Sequence, residues 1–162
     1  MSSRLVNNKL EVFNPANNKI IETINITSKS QFEATMNKAA LSAKKYNYSS
    51  VHERKIIISN FRKGIVKYLD DFIDVISNET GKKPLEAMME VFIVLEFIRQ
   101  SSKYVHRALD KKKCRVGLLK TRKAWIEYEA MGVVGIISPW NYPLILTASP
   151  LVEALFLPLR PS

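Results

Sequence analysis

The chain has 162 residues, enough for one domain with a real core, and its 46% hydrophobic content is that of an ordinary globular protein. Its single cysteine, Cys114, excludes an intramolecular disulfide and points to a reducing, cytoplasmic setting. The net charge of +10 is local: Lys111, Lys112, Lys113, Arg115, Lys120, Arg122 and Lys123 carry seven positive charges with no acid between them, and the rest of the chain carries +3.

No aromatic residue interleaves with those seven cations and no nucleic-acid motif accompanies them, so nucleic acid is not an expected partner. A solvated connection, or at most an anion-binding surface, is the expectation. The N-terminus lacks the apolar core of a signal peptide. Residues 131–159 hold Glu153 as their one charge, but Pro139, Pro143, Pro150 and Pro158 break them, which predicts buried core and no membrane span.

In chain order, Leu10–Phe13 and Ile20–Ile24 read as two short strands around the turn formers Asn14-Pro15-Ala16-Asn17-Asn18. Ser28 with Gln31 forms a capping box that opens a first helix, with Phe32, Met36, Ala39, Ala40 and Ala43 on one face and an end near Tyr46. A second helix starts after Ser49-Ser50. Ile58, Phe61, Ile65, Leu69, Phe72 and Ile76 form its amphipathic stripe, and Gly81 suits its stop. Pro84 opens a third helix whose buried stripe is Met88, Val91, Leu95, Ile98 and Val105. Glu86 and Glu90 stand one turn apart without a His or Cys at metal-ligand spacing, so a solvated helix face is expected and no metal site. His52 and His106 are isolated and read as surface residues. Ala124–Glu129 alternates apolar and charged side chains, as a half-exposed strand does.

The stretch from Met131 to Pro143 is the most informative. Val133, Val134, Ile136 and Ile137 form a β-branched run between glycines, without alternation, which predicts a strand buried on both faces as in a parallel sheet. Ser138-Pro139 stops it, and Pro143 suits the first turn of a helix continuing over Leu144 to Leu155. Trp140 and Asn141 then fall in a strand-to-helix turn, the place where open α/β sheets bind ligands.

Gly132-Val133-Val134-Gly135-Ile136-Ile137-Ser138-Pro139-Trp140-Asn141-Tyr142-Pro143 resembles the Pro-Trp-Asn-Phe/Tyr-Pro segment of the NAD(P)-dependent aldehyde dehydrogenase superfamily. The likeness runs upstream. Asn14-Pro15-Ala16 is similar to a family hairpin, Glu79-Thr80-Gly81-Lys82 matches a signature whose physical content is helix punctuation, and Arg122–Tyr128 is similar to a family oligomerisation strand. The resemblance implies the N-terminal portion of an α/β fold of that type: β-hairpin, three helices, oligomerisation strand and the first buried strand of a Rossmann-like cofactor domain. It divides the chain at residues 1–110, 111–130, 131–155 and an aberrant tail, 156–162.

The resemblance also implies a reaction, the oxidation of an aldehyde to a carboxylic acid with NAD or NADP. In the family a cysteine thiolate attacks the carbonyl, hydride leaves to the nicotinamide, and water hydrolyses the thioester with a glutamate as base. Asn141 matches the asparagine whose side-chain NH2 donates to the oxyanion, a donor that does not itself become charged. Ile137, Ser138, Pro139 and Trp140 match positions lining the cofactor channel. Cys114 precedes the Asn141 segment, the wrong order for the family nucleophile, and reads as an incidental thiol. The nucleophile, the base and the glycine-rich turn for the pyrophosphate have no counterpart. After Leu155 the chain departs from the family pattern: Phe156-Leu157-Pro158-Leu159-Arg160-Pro161-Ser162 suits neither helix nor central strand. The expectation is a remnant left by a frameshift or premature stop, inactive by itself. The alternative is a non-catalytic fragment that associates with a full-length dehydrogenase through residues 124–129, the same strand that would serve a homo-oligomer.

Overall fold

The computed structural model describes residues 3–118, 121–128 and 132–157. Along them run β1 (Ser3–Val6), β2 (Lys9–Phe13), β3 (Ile20–Asn25), α1 (Lys29–Tyr46), α2 (Val51–Lys67), α3 (Leu69–Thr80), α4 (Pro84–Leu109), β4 (Lys112–Cys114), β5 (Ala124–Ile126) and α5 (Pro143–Phe156).

The first sheet has the order β1-β2-β3, antiparallel throughout. The hairpin of β2 and β3 is the expected one. Strand β1 is an addition to the sequence reading, and its signal is Asn7-Asn8. Both residues take positive φ, 46° and 63°, between paired Val6 and Lys9, which makes a two-residue hairpin turn that asparagine tolerates. The β2–β3 turn rests on the end of α3, where Asn14 Nδ2 donates to Asn78 Oδ1 at 3.1 Å. Gly81 closes α3 at φ 75°, and a Cβ there would stand 3.1 Å from Pro15 Cγ. Gly81→Ala is therefore expected to cost about 1–2 kcal/mol, from left-handed strain plus the clash with the turn. Urea unfolding of the two proteins checks this.

Helix α1 opens with the expected capping box and ends at Tyr46. Its apolar stripe is not packed: none of its residues is buried, and Phe32 and Met36 are exposed. Periodicity marked the face but could not supply a partner for it. The second predicted helix is two, α2 and α3, which meet at Tyr68 with φ −108° and ψ 31°. Asp70 and Asp71 sit in the first turn of α3, where negative charge favours a helix start. The break lets Ile58 and Ile65 on α2 and Ile76 on α3 all join one core.

That core is built around α4. Ala87, Val91, Val94, Leu95, Ile98 and Val105 meet α2, α3 and, from α5, Ala148, Val152 and Phe156. Each large aliphatic side chain buried there contributes about 1.5–3 kcal/mol. Phe156, expected to begin the irregular tail, is the last residue of α5 and is buried; residues 158–162 of that tail lie outside the described residues. On the outer face of α4, Arg99 clasps Glu96 with two hydrogen bonds of 2.8 and 2.6 Å, and Gln100 adds a third at 2.7 Å. These bonds, Arg99 first, hold the Glu96 carboxyl down at about 2 from an ordinary 4.5. The folded value lies below the unfolded one, so the contribution is complete above about pH 4.5 and is lost as pH falls toward 2. Carboxyl NMR titration should give a midpoint near 2, with only a small effect on stability because the pair is exposed.

The basic stretch is not merely a loop. Lys112–Cys114 forms β4, paired with Ala124–Ile126 in a register that sets Lys113 opposite Trp125. Lys111 pairs with Glu127 just beyond. The predicted strand over 124–129 is three residues long, and Glu129 lies outside the described residues. His52 and His106 are exposed, as expected. No helix among the described residues is long and apolar enough to cross a membrane.

The strand expected at Val133–Ile137 is corrected. Among the described residues, 133–137 have no ladder partner, and Val133, Val134 and Ile137 are exposed. A parallel strand needs neighbours, and every strand pair among the described residues is antiparallel. β-branched side chains supply the propensity for a strand but not its sheet.

Candidate functional site at the start of helix α5

Pro143 occupies the first position of α5, where its missing N–H costs nothing. The next two amides, Leu144 and Ile145, are among the donors that a helix start leaves without partners. Both point at one carboxylate: Glu90 Oε1 accepts from Leu144 at 2.9 Å and from Ile145 at 3.3 Å. Glu90 is 1% exposed, which corrects the expectation of a solvated face. Its other oxygen, Oε2, accepts from Lys82 Nζ at 2.6 Å. The same ammonium lies 3.8 Å from the centre of the Tyr142 ring. One buried anion thus ties α4, the α3–α4 connection and the turn before α5.

The far end of α5 is held by a cation. Arg54 is fully buried, and its guanidinium donates to Phe156 O at 3.1 Å, Tyr46 O at 3.4 Å and Ser49 Oγ at 2.9 Å. Tyr46 donates its hydroxyl to Leu155 O at 3.0 Å. At Leu155 O and Phe156 O these donors meet carbonyls that a helix end leaves unpaired, and a cation suits that end of the dipole. Burial pulls Arg54 below its usual value, opposed by nearby Tyr46 and Glu53, and burial raises the Tyr46 phenol, with Arg54 opposing.

The turn that this frame carries is open. Trp140 is 75% exposed and Ile137 is 99% exposed. Pro139 and Asn141 are exposed too, and the Asn141 side chain makes no hydrogen bond to another described residue. Its NH2 is therefore available to donate outward. Thr147 Oγ1 donates to Pro143 O at 2.6 Å, so the 2.6 Å contact between Ser138 and Thr147 has Ser138 as donor. That bond fastens the extended segment to α5. Ile137, Ser138, Pro139, Trp140 and Asn141 thus lie together at one end of α5.

Cys114 is elsewhere. It lines a hollow of about 590 Å³ in the β4–β5 hairpin with Lys113, Arg115, Arg122 and Lys123, and no contact among the described residues joins it to Asn141. A second hollow, of about 380 Å³, lies between Tyr104, Val105 and Leu109 on α4, Tyr128, and Glu153 and Phe156 on α5. None of the predicted site residues lines it.

Lys82, Glu90 and Arg54 were missed in the sequence. The signal for Glu90 was its spacing: it lies three after Ala87 and four before Val94, on the apolar stripe itself. A carboxylate on that stripe has to be paired.

The two sheets, the four packed helices and the open turn make an α/β segment. The aldehyde dehydrogenase family model matches residues 2–157. The chain belongs to the aldehyde dehydrogenase family. It is 30% identical over 135 residues to a Mycolicibacterium smegmatis protein named as an NADP(+) succinate-semialdehyde dehydrogenase, covering 83% of this chain and 26% of that one. An aldehyde dehydrogenase-like protein of Schizosaccharomyces pombe is 25% identical over 149 residues, covering 91% of this chain and 28% of its own length. Among solved structures, the NADP-dependent glyceraldehyde-3-phosphate dehydrogenase of Bacillus halodurans, complexed with NADP, superimposes with a TM-score of 0.83 at 23% identity. That match covers 94% of this chain and 33% of the other. The succinic semialdehyde dehydrogenase of Streptococcus pyogenes, with NADP+, gives 0.83 at 17% identity over 92% and 32%. The chain spans about a quarter of the length of the curated relatives it matches.

Proposed function

We propose that the turn from Ile137 to Asn141 is the oxyanion-stabilising and cofactor-facing element of an NAD(P)-dependent aldehyde oxidation, and that these 162 residues do not carry out that oxidation alone. The observation that supports the reading is the Asn141 side-chain amide, which bonds to no other described residue and is held at the open mouth of a turn whose helix is fixed at both ends. An amide there can donate to the oxygen that gains charge when a nucleophile attacks an aldehyde.

The described residues fit one end of the dinucleotide. Ile137 and Trp140 offer exposed apolar surface for the nicotinamide ring, and the backbone of 133–137, which has no ladder partner among the described residues, offers main-chain groups. When bound, the nicotinamide would accept hydride from the aldehyde carbon. The residues 137–141 include no charged side chain that would tell NADP from NAD. The relatives' names favour NADP and a succinate-semialdehyde-like substrate, and a cytoplasmic setting agrees with the lone thiol. Cys114 is not the nucleophile in this reading, because it sits in the basic hairpin.

The test compares two proteins. The chain alone, mixed with NADP or NAD and succinate semialdehyde, should form no reduced cofactor above background. A fusion in which this chain replaces the matching first quarter of the M. smegmatis relative should form it. Turnover by the chain alone, or an inert but folded fusion, would overturn the reading.

A second reading has its own observation. Trp125, Ile126 and Tyr128 are exposed on β5 and just after it, and among the described residues β5 pairs only with β4, leaving its other edge open to another subunit. In this reading the chain associates with a second copy or with a full-length dehydrogenase. Co-purification with the intact relative, lost on Trp125→Lys, is the expected result.

A further inference from the structure

We propose that Glu90 is the positioning residue of the Asn141 turn, and that it acts as a built-in anion at the start of α5. The proposal rests on the reading of Asn141 as the oxyanion donor. Helix starts commonly attract phosphate, because unpaired amides and the dipole converge there. In this chain a side chain already fills that place: Glu90 Oε1 takes the Leu144 and Ile145 amides at 2.9 and 3.3 Å. A dinucleotide phosphate therefore has to be held away from α5, and the charge at its N-terminus serves geometry instead.

The geometry has three fixed points. Glu90 sits on α4, the most heavily packed helix, between the buried residues Ala87 and Val94. Lys82 neutralises its second oxygen at 2.6 Å, from a side chain that is itself largely buried. The same ammonium faces the Tyr142 ring at 3.8 Å, and Tyr142 is the residue next to Asn141. The two sides of Asn141 are thus tied. Tyr142 and the first amides of α5 go to Glu90 and Lys82, and Ser138 goes to Thr147. Of these ties only the first crosses to another helix. Without Glu90 the turn keeps its local bond and loses its register against the core.

The experiment uses the intact 162-residue chain and reads no activity, so it stands apart from the oxidation assay. Amide hydrogen exchange is followed in wild type, Glu90→Gln and Glu90→Ala, with the side-chain NH2 signal of 15N-labelled Asn141 recorded in each. In Glu90→Gln, which keeps shape and loses charge, exchange at Leu144 and Ile145 should quicken about tenfold. The amides of Ile58 and Ile65 on α2 should keep their rates, and the Asn141 signal should shift. In Glu90→Ala, added formate should restore slow exchange, and formamide should not. Unchanged exchange at Leu144 and Ile145 in Glu90→Gln would overturn the proposal. So would equal acceleration of all four amides, or rescue by formamide as good as by formate. If Glu90→Ala does not fold, the Glu90→Gln result decides. If the exchange pattern holds while Asn141→Ala leaves turnover of the fusion intact, the positioning stands and the oxyanion reading falls.

Discussion

In the fusion with the remainder of a full-length relative, Asn141→Ala should lower kcat by about 10²–10³-fold, the effect of losing one preorganised oxyanion donor, or about 2.7–4 kcal/mol of transition-state stabilisation. KM should change little, because the donor acts where charge develops and not on the neutral carbonyl. Asn141→Asp should be at least as damaging. It nearly preserves shape, but replaces a neutral donor with an acceptor that repels the same oxygen. Steady-state rates of cofactor reduction for the three proteins check this. Equal kcat in fusion and alanine variant would remove Asn141 from the chemistry and leave it a turn residue, the ordinary use of asparagine in such a place.

The largest loss of stability is expected at Arg54. Arg54→Met keeps much of the stem but removes the donors to Phe156 O, Tyr46 O and Ser49 Oγ. Phe156 O, buried at the end of α5, loses its Arg54 donor, while Tyr46 O keeps the Ser49 amide and hydroxyl; with the lost packing of the stem the cost is about 2–3 kcal/mol. Marginal stability is about 5–15 kcal/mol, so that is a large share of the total. Arg54→Lys should recover only part, since an ammonium cannot present the planar fork that reaches three oxygens. The midpoint of urea unfolding, read with an unchanged slope, measures both. Because Tyr46 also holds Leu155 O, Tyr46→Phe combined with Arg54→Met should cost more than either alone, yet less than their sum if both already free the end of α5.

Much of this was legible in the residues because local rules agreed with the outcome. Ser28 and Gln31 made the capping box they spell, and Gly81 ended α3 in the left-handed conformation that glycine permits. The stripe of α4 is buried because its spacing matches one helix face. What escaped depended on partners distant in sequence. Phe32 and Met36 mark a helical face that nothing among the described residues covers, and Val133–Ile137 carries strand propensity without a ladder. Tyr68 divides a stripe that reads as continuous, since a kink leaves the spacing nearly intact. For the candidate site, the motif is what singles out Asn141 and Trp140. Glu90 and Arg54 stay hidden, because a charged residue is read as surface until its partners are known, and those partners lie far along the chain.

Those separations also set an order of events. Arg54 reaches Phe156 across 102 residues, Tyr46 reaches Leu155 across 109, and Glu90 reaches Leu144 across 54. Contacts among α2, α3 and α4 span shorter stretches of chain than those three bonds to α5, and shorter loops close at smaller entropic cost. During synthesis α2, α3 and α4 can therefore pair before α5 leaves the ribosome. Until it arrives, Arg54 and Glu90 remain hydrated charges beside a half-covered apolar trough. The last helix then docks between two ionic groups of opposite sign, one for each pole of its dipole, so that a reversed orientation would set like charge against like.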